Sequence, residues 1–152
     1  MRILPGPRPL AIRVFAAAFL AAAIIRLGQG LANVEVAAIG LALRAPWFAW
    51  TRDSTIIALS AEFTIALIPI AWIYLFAAPF ARWLVLGFGV LKLWGMRLGA
   101  MFLLQSGGLA GGLASLGWAE PALVLAAMVS LLTAGANRWF ADRPAMAPEI
   151  FE

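Results

Sequence analysis

The stretch LVLGFGVLKLWGMRLGAMFLL, Leu84 to Leu104, decides how this chain is to be read. It is apolar and as long as a membrane-crossing helix, which takes about 20 residues. Yet it places Lys92 and Arg97 near its middle. An ionised side chain at mid-bilayer costs on the order of 3 kcal/mol on insertion scales. A span carrying two such cations needs partners for them, inside the chain or outside it.

The composition around this stretch argues against a soluble fold. Of 152 residues, 64% are hydrophobic and 12% charged, and the mean hydropathy is +0.97. Soluble domains run nearer roughly half apolar and a quarter charged. A soluble domain of this size has too little interior to hide so much apolar surface. The expectation is a single all-α integral membrane domain over residues 1–152.

The net charge of +4 does not point to nucleic acid, because the basic residues are scattered singly and no run could track a phosphate backbone. Arg outnumbers Lys ten to one and Ala is abundant, a bias of GC-rich bacterial genes. The bacterial inner membrane is the expected location. With no Cys and no His, disulfides, thiol catalysis, the commonest transition-metal and haem ligands and the usual general base are all missing. The seven acids form no cluster, so neither metal nor resident cofactor is expected.

Four segments are long enough to span. The first covers about 10–28, where Arg13 and Arg26 bracket twelve apolar residues and can snorkel to opposite interfaces. Arg2 and Arg8 before VFAAAFLAAAII, with small residues through Ala32, resemble a signal peptide, but the expected reading is a retained span. The second covers 54–78, with Asp53 as its N-cap. The third covers 82–104, joined to the second by a tight connection centred near residue 80. The fourth covers 118–136, with Pro121 in its first turn.

Between the first two spans, residues 33–44 read as an interfacial or re-entrant helix, followed by an aromatic belt of Trp47, Phe48 and Trp50. The glycine-rich QSGGLAGGLASLG reads as a flexible turn and residues 137–152 as a short polar tail. Four spans put both termini on one side. That side collects Arg2, Arg8, Arg13, Arg82, Arg138 and Arg143 against Arg26, Arg44 and Arg52, which makes it the cytoplasmic one.

A turn near residue 80 sets Glu62 opposite Arg97 in depth, and these two are expected to form an ion pair locking the second and third helices. Lys92 lies about 140° around the helix from Arg97, so it needs another partner: Glu35, a second subunit, or the interface. Lys92, Glu35, Trp72 and Trp94 are the residues expected to contact a partner or a ligand such as a lipid, quinone or pigment. Small residues at spacing four, Gly95 with Gly99 and the row Ala122, Ala126, Ser130 and Ala134, suit close helix contacts. Ala17 with Ala21 and Ala18 with Ala22 repeat the pattern in the first span.

No catalytic arrangement is present. No serine has a His partner, and GGLAGG lacks the Lys and Ser/Thr of a phosphate loop. The sequence therefore leads to a non-enzymatic four-helix membrane bundle, working as an accessory subunit of a larger complex or as a homo-oligomer. A small transporter or channel using Glu62, Arg97 and Lys92, or a binder of a lipophilic molecule, are the alternatives. The partners expected are membrane lipids and other membrane subunits or further copies of the chain.

Overall fold

The second expected span is capped by Thr51, whose hydroxyl accepts from the Ser54 N–H at 3.2 Å while Ser54 Oγ accepts from the Thr51 N–H at 2.8 Å. This reciprocal pair satisfies two donors that the first turn would leave bare. Asp53, expected as the cap, instead sits inside the first turn, where its charge faces the positive end of the helix dipole. The computed structural model describes residues 7–105 and 119–141, and the side chains of 7–94 and 119–141. The side chains of Gly95, Arg97 and Gly99, the glycine-rich loop and the tail beyond Ala141 lie outside the described residues.

All described elements are helical: α1 Leu10–Ala32, α2 Val34–Arg44, α3 Arg52–Phe76, α4 Pro79–Gln105, α5 Ala119–Leu131 and α6 Ala134–Ala141. α1 begins where the Pro9 carbonyl accepts from Ile12 and Arg13. It ends at Asn33, whose φ of −135° and ψ of 61° break the spiral for one residue before α2. α2 occupies the segment read as interfacial and is too short to span. Its Leu41 is buried, whereas Val36, Ile39 and Leu43 face outward.

α3 closes at Ala77, a left-handed residue with φ 46°. The Ala77 and Ala78 N–H groups both reach the Trp72 carbonyl, and Pro79 then opens α4 with its φ already helical. The turn is therefore two residues, Ala77 and Ala78, and lies earlier than the expected centre near residue 80. Counting equally outward from this turn sets Glu62 level with Leu93, and the expected Glu62–Arg97 pair itself lies outside the described residues.

The fourth expected span is not one straight helix. It breaks at Leu132 and Thr133, and α5 and α6 meet at a 57° bend. Ser130 Oγ donates to the Ala127 carbonyl at 2.7 Å and Thr133 Oγ1 to the Ser130 carbonyl at 2.8 Å. These bonds compete with the helical ladder. The Ala136 N–H donates to Thr133 Oγ1 at 3.4 Å, making Thr133 the N-cap of α6.

α1 is the central element, packed on α5 and α3. Its Ile12, Phe15 and Ala18 recur at helical spacing and meet Ile73 of α3, Val85 of α4 and Leu131 of α5 in one core. Two glycines permit the closest approaches. A Cβ on Gly30 would lie 2.8 Å from both methyls of Leu59, and one on Gly89 would overlap Met128. Among the described residues, α1 and α3 are long and apolar enough to cross a membrane, each with mean hydropathy 2.1, and α5 with α6 makes a third if the bent pair is one span. Only 22% and 17% of those two apolar windows are buried inside the chain. The rest forms an apolar exterior, as lipid contact requires.

Candidate functional site

α1 and α3 run antiparallel, and the contact of Gly30 with Leu59 sets their register. One turn back along α1, Arg26 comes to the same level as Glu62, which follows Leu59 by three residues on the same side of α3. Arg26 Nε lies 3.7 Å from Glu62 Oε2, and Arg44 Nη1 of α2 lies 4.0 Å from Glu62 Oε1. Both separations are electrostatic contacts longer than hydrogen bonds. One carboxylate is thus divided between two guanidiniums, with Arg44 the more exposed.

Lys92 has its own partner. Its Nζ forms an ion pair with Glu120 Oε1, from the first turn of α5. The Glu120 side chain is only 11% exposed, against 44% for Lys92. Among the described residues no ion pair joins Lys92 to Glu35, which lies exposed in the first turn of α2.

Arg26, Glu62 and Lys92, one or more members of each pair, border one cavity of about 150 Å³ between α1, α3, α4 and α5. Phe19, Phe63 and Phe88 supply apolar walls, and Arg26, Glu62 and Lys92 supply the polar ones. Such a site can seat an apolar body and hold a charged head. Among the described residues no three acids, histidines or cysteines come together to hold a metal.

The remaining sequence-derived candidates fall elsewhere. Trp72 is half-buried and packs on Phe80, ring centres 4.9 Å apart. Trp94 is exposed on the outer side of α4. In the small-residue row only Ser130 is buried, while Ala122, Ala126 and Ala134 face outward. The inward face of α5 is instead Glu120, Val124, Ala127, Met128 and Leu131. Ala18 and Ala22 are both buried.

A second cluster closes the end of the molecule where α3 turns into α4. The Tyr74 and Ile73 carbonyls, left over by the turn, accept from Arg8 Nε at 3.3 Å and from Trp139 Nε1 at 3.1 Å. The Arg8 guanidinium stacks over the Tyr74 and Trp139 rings, and that of Arg82 over Trp83 and Phe140, each at 5.5 Å. Arg82 also donates to Asn137 Oδ1 at 2.6 Å. Cations here complement the negative end of the α3 dipole and anchor α6.

Three site residues escaped the sequence reading: Arg26, Arg44 and Glu120. Arg26 reads as an interfacial anchor because it ends an apolar run. Glu120 offers one usable signal. It is an acid in the first turn of the span that follows the one containing Lys92, within antiparallel reach of it. Comparison with protein-family models, curated proteins and solved structures finds no match to this chain. The described residues define the class: they are helical, with two to three helices apolar enough to span a membrane, compatible with a membrane protein.

Proposed function

We propose that this chain is a non-enzymatic protein of the bacterial inner membrane, with four spans and both termini cytoplasmic. It acts as an accessory or structural subunit of a larger assembly, or as a homo-oligomer. One observation carries this reading. The α5 face opposite its packing on α1 presents Ala122 and Ala126 outward, and small residues let another helix approach closely in lipid. The clustering of Arg8 and Arg82 at one end supports the orientation. Purification in mild detergent tests the proposal. A stoichiometric companion protein or a defined homo-oligomer is expected, and Ala126→Phe should dissociate it. A clean monomer unaffected by that substitution overturns it.

A second reading, a small transporter or channel using Glu62, Arg97 and Lys92, is favoured because Glu62 and Lys92 line the same cavity. Ion-dependent flux in liposomes, abolished by Glu62→Gln and Lys92→Gln, is its test.

A further inference from the structure

The cavity between α1, α3, α4 and α5 has a shape and a charge that specify an occupant. At about 150 Å³ it matches the volume that holds a single benzene ring when lined by apolar side chains. Phe19 and Phe63 wall it, and Phe88 on the α4 side is 64% exposed, so the cavity is open at the flank of the bundle. A chain longer than the cavity can leave past Phe88.

Charge selects the head group. The cavity lining holds two cations, Arg26 and Lys92, and one carboxylate, Glu62, while Arg44 and Glu120 pair with lining residues from outside it. The lining itself therefore carries one positive charge in excess. Lys92 is committed to Glu120, and Arg26 shares Glu62 with Arg44 at separations beyond hydrogen-bond length. The Arg26 guanidinium keeps planar N–H donors for a second acceptor, the geometry that fits a carboxylate or phosphate. A cationic ligand would meet Arg26 and Lys92 against a single carboxylate, Glu62, that two arginines already share.

We infer that this cavity binds an amphiphilic anion, its carboxylate or phosphate head on Arg26 and its apolar body between Phe19, Phe63 and Phe88. The anion can come from the bilayer, as a long-chain acid, or from water, as a short aromatic acid. The chemistry of recognition is the same. The inference goes beyond the assembly and transport readings, because binding is read without a partner protein and without flux.

The test is calorimetric titration of the purified full chain in zwitterionic nanodiscs, with empty nanodiscs subtracted. The probes are laurate, dodecanol and benzoate. Laurate is expected to bind at least about tenfold more tightly than dodecanol, the worth of one charge-assisted contact. Arg26→Gln should bring the two together, and Arg26→Lys should keep part of the preference. Ala66→Phe, which fills the cavity from α3 without changing charge, should weaken laurate binding. If Arg26→Gln does not fold, as judged by thermal unfolding, Arg26→Lys and Ala66→Phe still decide. Binding of laurate alone assigns a membrane amphiphile, and equal binding of benzoate assigns a water-borne acid. Equal affinity for laurate and dodecanol in the unmodified chain overturns the inference, as does laurate binding indifferent to Ala66→Phe.

Discussion

Lys92, halfway along α4, is held by Glu120 from the first turn of α5, so a carboxylate near the start of one helix neutralises a cation in the body of its neighbour. Removing the acid leaves the half-exposed ammonium without its carboxylate. Exposed pairs contribute up to about 1 kcal/mol and breaking a buried one costs about 3–5. This half-buried pair falls between, and Glu120→Gln is expected to cost about 2 kcal/mol. The Lys92→Gln and Glu120→Gln double-mutant cycle in detergent unfolding should show coupling, and exchanging the two charges should restore part of the loss.

Glu62 serves two guanidiniums unequally. Arg44 is 70% exposed and Arg26 36%, so Arg44→Gln should cost less than about 0.5 kcal/mol and Arg26→Gln about 1. Glu62→Gln strands both cations and should cost the most. The Glu62→Gln and Arg97→Gln double-mutant cycle tests the pair expected from the sequence, and losses that simply add would remove it. A non-zero coupling in that cycle would establish the pair read from the sequence.

Gly28 and Gly30 lie two residues apart, just before the break at Asn33, and face different surroundings. Nothing lies within 4 Å of a Cβ placed on Gly28, whereas one on Gly30 meets Leu59 at 2.8 Å. Gly28→Ala should stabilise by up to about 1 kcal/mol, since alanine loses less backbone freedom in a helix. Gly30→Val should destabilise by about 2 kcal/mol through overpacking of α1 on α3. Thermal unfolding of the two variants side by side reads the difference.

The end cluster makes a separate prediction. Trp139→Phe keeps an aromatic ring near Arg8 but removes the donor to the Ile73 carbonyl, and should cost about 1 kcal/mol. Thr133→Ala removes the α6 cap and should cost a similar amount, about 1 kcal/mol. Hydrogen exchange should show both losses at α6 and the end of α3 before the rest of the chain.

The helices themselves were largely legible, because long apolar runs are local signals, although the cap expected at Asp53 is made by Thr51 and Ser54. The bend at Thr133 was not, since it arises from side-chain competition for carbonyls inside an otherwise apolar run. Of the site, Glu62 and Lys92 stand out as charges inside spans, and both line the cavity. Their partners were hidden, because Arg26 looks like an interfacial anchor and Glu120 like a helix-start acid until α1 and α5 are placed beside them.

Composition and hydrophobic run length alone determined that this chain is helical and has more apolar surface than its own interior can bury, and that two cations inside one apolar segment demand an account. Which acid answers which cation was decided only by the tertiary structure. A side chain's depth depends on where a two-residue turn falls, and its direction rotates by about 100° with each residue of the helix. Packing α1 and α2 against α3 gave Glu62 its two arginines, and packing α5 against α4 supplied Glu120 to Lys92.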